Sequence, residues 1–236
     1  MIFKKYENIS IEPFTVICEL VRDVSNYDVI HFDGILAAAT VREQFKGFGL
    51  PTMGETYNIP LPLKSMWKDE RGYDCWAASS LLPVSVFVED VIWMHKRAQN
   101  GEFTQHKSKG DYKLNTTTGR YMERRIPVPT MVVNKLYSRC IGDISETQKL
   151  LELITHIGKR RNAGLGEVRS WNINKAIWND RDIFIGTNQL IKPLPAGLSV
   201  LLNIHLTEPA TECSWFPPYW HSGCQGAGWR VGTTIV

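Results

Sequence analysis

Residues 157–168 read I-G-K-R-R-N-A-G-L-G-E-V, and this stretch restricts the possible folds more than any other. Gly158, Gly164 and Gly166 enclose the cations Lys159, Arg160 and Arg161 and the polar Asn162. Upstream, Thr147, Leu150, Leu151, Ile154 and Ile157 recur at three- and four-residue steps, so the spacing predicts a helix over 145–156. Asp143 with Glu146, or Ser145 with Gln148, fits the capping pattern at its start. Downstream, 167–173 reads as a short strand. The order is therefore helix, glycine-rich basic loop, strand. A dinucleotide fingerprint or a P-loop needs strand, glycines, then helix, so that phosphate rests on the helix N-terminus. Two readings remain. One is a helix C-cap followed by a solvated basic turn. The other is a loop whose glycines let the backbone approach a polyanion while three cations neutralise it.

Charge is distributed unevenly. Residues 1–90 carry 8 Lys/Arg against 13 Asp/Glu, whereas residues 91–139 carry 10 against 3. Such segregation suits a basic surface for a polyanion and an acidic remainder for a protein neighbour, or else a solvated basic loop. The net charge of +3 conceals this division. With 43% apolar and 22% charged residues, the 236-residue chain can bury a substantial core. Its apolar runs are too short and interrupted to span a bilayer, and its first residues lack signal-peptide order, so a cytoplasmic protein without a membrane partner is expected. The five cysteines are scattered and odd in number, which fits a reducing compartment. Cys213, His221 and Cys224 form at most part of a metal site with no fourth ligand, so neither metal nor cofactor is expected.

Taken in order, 13–22 alternates as a first strand through Phe14, Val16, Cys18 and Leu20. Phe32, Ile35, Leu36 and Ala39 then recur at helical spacing in a run ending near Phe45, with His31 and Asp33 at its start. Residues 46–62 are rich in Gly and Pro and read as a loop. Strands are expected over 63–67 and 75–87, joined by a turn at Asp69-Glu70-Arg71-Gly72, and again over 84–94, 129–141, 183–185 and 198–206. Between them, 100–129 is the least core-like segment. There Lys107, Lys109, Lys113, Arg120, Arg124 and Arg125 interleave with Phe103, Tyr112 and Tyr121. Cations that hold phosphates beside aromatics that stack on unpaired bases suit single-stranded RNA. An exposed disordered insertion is the alternative. The aromatic, proline-rich 215–220 either docks a partner or packs back on its own domain.

Motifs of nucleophilic hydrolases and zinc proteases are missing. The one serious catalytic option, implied by the family resemblance given below, is metal-independent RNA cleavage, with His31, Tyr27 and Lys46 as general acid–base candidates. His31 reads more simply as a helix-start residue bonded to Asp33 or backbone. His95 and His106 stand among cations and suit phosphate or solvent. His156 suits a helix C-terminus, and His205 suits a structural place in a strand.

The loop 157–168 resembles the C-terminal glycine-rich loop of the RAMP superfamily, the repeat-associated RNA-binding proteins of CRISPR systems. Trp215-Phe216-Pro217-Pro218-Tyr219-Trp220 and His31-Phe32-Asp33-Gly34-Ile35-Leu36-Ala37 resemble the RAMP subunit that caps the guide 5′ end in type IV effector complexes. The resemblance implies an α/β (α+β) fold with a ferredoxin-like (RRM-like) core over 1–175, a basic thumb-like hairpin inserted at about 96–128, and a C-terminal extension over 176–236. It implies a non-catalytic subunit that binds the guide RNA 5′ handle through Gly158, Lys159, Arg160, Arg161, Asn162, Gly164 and Gly166. The thumb would add Lys107, Lys109, Tyr112, Lys113, Arg120, Tyr121, Arg124 and Arg125. Backbone-type and large-type effector subunits are the implied partners, with contact to target DNA near the guide 5′ end left open. A repeat-processing endoribonuclease and a scaffold subunit with little RNA contact are the alternatives.

Overall fold

In the first strand, β1 (Glu12–Leu20), the alternation of the sequence becomes a buried face: Phe14, Val16, Cys18 and Leu20 are all at most 6% exposed. The computed structural model describes residues 3, 6, 9–25, 29–45, 57–85, 87–96 and 124–236. After β1 come α1 (Phe32–Gln44), the hairpin of β2 (Ser65–Lys68) and β3 (Asp74–Trp76), and the short β4 (Leu82–Pro83). A ribbon follows, made of β5 (Val88–Lys96) and β6 (Arg124–Val132), then β7 (Lys135–Gly142), α2 (Ile144–Leu151) and β8 (Val168–Lys175). The chain ends with β9 (Leu194–Pro195), α3 (Ala196–Leu201), β10 (Thr211–Ser214) and β11 (Gln225–Trp229).

The central antiparallel sheet has the order β4-β7-β1-β8. With α1 and α2 it gives β-α-β-β-α-β connectivity, the split β-α-β arrangement. The fold is α+β. Phe32, Leu36, Ala37 and Ala39 of α1 and Leu150 and Leu151 of α2 share one core with the inward residues of β1 and β7. Asp143 caps α2, its carboxylate accepting from the Glu146 amide at 2.9 Å and the Ser10 amide at 2.9 Å. Burial raises the Asp143 pKa, but these bonds and the Ser145 hydroxyl outweigh it and hold the carboxyl below its ordinary value.

Residues after 175 build a second core, in which Leu194, Leu198, Trp215 and Phe216 pack with Cys75, Ala77 and Ile141. The aromatic segment 215–220 thus turns back onto its own chain. Its deepest tie is electrostatic. Lys192 Nζ lies 2.6 Å from Asp33 Oδ2, with side chains 1% and 0% exposed. The Tyr219 hydroxyl donates to the same carboxylate at 2.8 Å. The His31 ring stacks on Tyr219 at 3.7 Å, and its Nδ1 lies 3.3 Å from Ser80 Oγ. Both short motifs flagged in the sequence therefore meet in one cluster.

Several expected elements differ in form. The helix of 145–156 stops at Leu151 because the Leu153 and Ile154 amides bond only three residues back, to Leu150 and Leu151. Ile154 and Ile157 remain buried beyond its end, so the helical period outlives the helix. His156 consequently lies in a loop and not at a helix end. Residues 129–141 divide between β6 and β7. Residues 75–87 are interrupted after Trp76, where Ala78 makes only a single bridge to Cys140 before β4. The 84–94 strand begins at Val88 and runs to Lys96. In 183–185, Ile183 ends a 3-10 turn and Ile185 makes only an isolated bridge. Residues 198–206 contain no strand. Pro195 opens α3, the Ser199 hydroxyl bonds the Ala196 carbonyl, and Leu198 is buried while Val200 and Leu201 are 79% and 70% exposed. His205 is exposed outside any strand.

The prolines of β6 have a positional reason. Met131 donates its amide to the Val24 carbonyl, away from β5, so the alternate positions Pro127 and Pro129 face the same outer edge, where β5 needs no donor. That edge cannot add another strand beyond Met131.

Removing one partner of the buried pair leaves a charge unpaired, so Lys192→Met is expected to lower stability by about 3–5 kcal/mol in urea denaturation. Burial and then the Asp33 charge raise the Tyr219 pKa well above 10.0. The unfolded chain therefore loses that proton first, and stability falls as pH rises above about 10. Tyr219→Phe is expected to flatten this alkaline loss, measured as urea midpoint against pH.

Candidate nucleic-acid interface

The glycine-rich stretch forms a loop with a hydrogen-bonded base and an exposed tip. At the base, Ile157 donates its amide to Gly166, and Val168 donates to Thr155. Gly158 and Gly166 have φ of +76° and +66°, a region open mainly to glycine. A Cβ at Gly166 would collide with the Ile157 carbonyl oxygen, and one at Gly158 would stand 2.7 Å from Val24 Cγ1. Glycine is therefore required for closing the base and for seating it against residue 24.

At the tip, Arg160 is left-handed with φ 57° and ψ 31°, a conformation that non-glycine residues adopt sparingly. Residues Arg161–Ala163 then make a 3-10 turn that ends at Gly164, with φ 81°. A left-handed residue leading into a right-handed turn aims successive amides to one side, an arrangement suited to anions. Lys159, Arg160, Arg161 and Asn162 are all exposed. With Gly158 they line an open concavity of about 530 Å³. Among the described residues, neither Arg160 nor Arg161 forms a salt bridge. Their planar forks are free of carboxylates there and can take phosphate oxygens in pairs, while Lys159 supplies a point charge.

The segment 21–25, just past β1, ties this loop to the ribbon. Val21 donates to Glu167, Gly166 to Asp23, and Lys159 to Ser25 at 2.8 Å. On its other side, Val24 and Met131 exchange amide–carbonyl bonds at 3.1 and 2.8 Å. Val24 and Ser25 are buried, at 0% and 2% exposure. This strap fixes the glycine loop relative to β6, so the two basic regions of the sequence share one anchor. Arg124 and Arg125 stand at the far end of the ribbon, opposite Lys96 and His95. The Arg125 guanidinium lies 4.4 Å from the centre of the Trp93 ring.

Lys107, Lys109, Tyr112, Lys113, Arg120 and Tyr121 lie outside the described residues, as do Tyr27 and Lys46. His31 is placed with Ser80 and Tyr219, in the cluster that seats the C-terminal segment. Cys213 and Cys224 are buried, which pushes both thiols up to about 11 and keeps them protonated. His221 Nδ1 accepts from the Gly223 amide. Among the described residues no three or more His, Cys, Asp or Glu side chains converge as metal ligands. No helix among them is long and apolar enough to cross a membrane.

Sequence reasoning missed the strap, whose contribution is all backbone and leaves no residue signature. It also missed Trp93, although strand alternation places it on the face of His95.

The loop geometry separates two glycine substitutions. Gly164→Ala meets nothing within 4 Å and is expected to cost only about 1 kcal/mol from its positive φ. Gly166→Ala adds a backbone collision and is expected to cost several times more, read from urea midpoints of the two variants.

Comparison with known proteins bears on the same region. The family model described as CRISPR type IV associated protein Csf3 matches residues 13–224, a span that includes β1, the strap, the ribbon, the glycine loop and most of the C-terminal core. No curated protein matches the chain. On the strength of that family match, the chain belongs to the Csf3 family of type IV CRISPR-associated proteins.

Proposed function

We propose that this protein is a non-catalytic, RNA-binding subunit of a type IV CRISPR ribonucleoprotein, holding the guide RNA 5′ handle and capping one end of the DNA-targeting complex. The observation that carries the reading is the strap, which anchors an exposed, cation-tipped glycine loop and a cation-ended ribbon to the same backbone segment. The β-α-β-β-α-β connectivity supports a ferredoxin-like RAMP core.

In this mechanism Gly158 and Gly164 let the chain approach the RNA backbone, Arg160 and Arg161 grip phosphate oxygens, and Lys159 neutralises charge beside them. Arg124 and Arg125 lead into the basic segment 97–123, whose Lys107, Lys109, Tyr112, Lys113, Arg120 and Tyr121 clamp the handle. The acid-rich first 90 residues face neighbouring backbone-type and large-type subunits. The stacking of His31 on Tyr219 and its contact with Ser80 support a structural role for that histidine.

Binding and cleavage of labelled repeat RNA, without divalent metal, test this proposal at two salt concentrations. Wild type is expected to bind with strong salt dependence and leave the RNA intact. Each neutralised phosphate contributes about 0.7 to the log–log salt slope for a single strand, so Lys159/Arg160/Arg161→Ala is expected to lose about 2 in slope. Unchanged affinity in that variant contradicts the loop assignment. Cleavage in a chelator, abolished by His31→Ala, contradicts the non-catalytic one and identifies a repeat-processing nuclease.

A further inference from the structure

Directly paired residues of an antiparallel ribbon project from the same face, and successive residues alternate. In β5 and β6 the pairs Ile92–Val128 and Asp90–Thr130 share one face, where Val128 and Thr130 are 4% and 3% exposed. That face is covered at Val128 and Thr130, although Val88 on it is 63% exposed. The opposite face carries Glu89, Val91, Trp93 and His95 from β5, across from Met131, Pro129, Pro127 and Arg125. Met131 at its root packs against the main core, and farther out the face is exposed, with Val91 at 44% and Trp93 at 48%.

Trp93 sits opposite Pro127 and diagonal to Arg125, whose guanidinium covers part of the indole at 4.4 Å. Val91 and Trp93 are neighbours on this face, and contiguous exposed apolar surface marks an interaction site. The chemistry around the ring identifies that partner. Arg125 and His95 lie at its distal side, and the one carboxylate among the described residues of this face, Glu89, lies at the root beside Met131. A phosphate backbone is therefore favoured at the distal end and repelled at the root. A flat ring with an adjoining guanidinium plane fits a nucleobase, which has a π-face whatever its identity.

We infer that Trp93, with Arg125, is a stacking platform for an unpaired base of single-stranded RNA. Resting on the proposed handle-binding role, this inference adds where a base is held and by which residue. Pro127 lies four residues from Met131, so the platform stands about 14 Å along the ribbon from the strap. The bound strand runs between the platform and the glycine loop. The platform contributes stacking, and the loop contributes charge.

Affinity for labelled single-stranded repeat RNA, measured across a salt series, separates these contributions. Trp93→Ala is expected to weaken binding roughly 5- to 100-fold with an unaltered salt slope, because stacking releases no counterions. Trp93→Phe is expected to restore most of the affinity, and an unchanged urea midpoint for both variants shows that the ribbon still folds. Arg125→Ala should weaken binding and also reduce the slope. If Trp93→Ala binds RNA like wild type while Lys159/Arg160/Arg161→Ala does not, the platform inference is overturned and the handle assignment stands. If it binds RNA like wild type but associates more weakly with other effector subunits, the face belongs to a protein neighbour, which overturns the inference as well. If wild type binds no RNA, the handle assignment itself fails.

Discussion

Backbone hydrogen bonds from residues 21–25 hold the glycine loop and the ribbon to one segment. The strap bonds to the glycine loop at Glu167, Gly166 and Lys159, and to the ribbon at Met131. Each such bond contributes only about 1 kcal/mol net, but leaving any of these buried groups unpaired would cost more. The loop and the ribbon therefore cannot move independently without breaking a bonded strip. Two basic regions that stand more than thirty residues apart in sequence are tied to one backbone segment, residues 21–25. That is a backbone solution, so it uses none of the side chains on either side.

The buried Asp33–Lys192–Tyr219 cluster does for the rear of the molecule what the strap does for the front. A buried ion pair is a weak source of stability by itself, because desolvating both charges offsets their attraction. Its value lies in specificity. Asp33 at the start of α1 accepts from Lys192 and from Tyr219, which fixes the C-terminal segment in one seating against the first helix. His31 is drawn into the same seating by its stack on Tyr219. The residue that sequence chemistry would pick for acid–base work thus lies in the joint between the core and the extension.

Local signals were read correctly where local physics decides the outcome. Period-two burial in β1 and the Asp143 cap both follow from neighbours in sequence. The errors arose where tertiary context overrides pattern. Residues 198–206 alternate like a strand, yet Pro195 starts a helix and leaves Val200 and Leu201 outside. Ile154 and Ile157 extend a helical period past the point where the chain has left the helix. The motifs around His31 and Trp215 were each visible, but nothing in either one says that they touch. The strap was illegible for a different reason, since its work is done by amides and carbonyls that every residue carries.

The glycine loop and the ribbon are proposed to hold the same stretch of guide RNA. Ultraviolet cross-linking of the intact type IV ribonucleoprotein, with adducts mapped by peptide and by nucleotide, tests it most directly. The account predicts adducts on peptides containing 158–164 and on peptides containing Trp93 or Arg125, both to neighbouring nucleotides of the 5′ handle. Handle adducts confined to other surfaces, or loop and ribbon adducts on widely separated parts of the RNA, would contradict it.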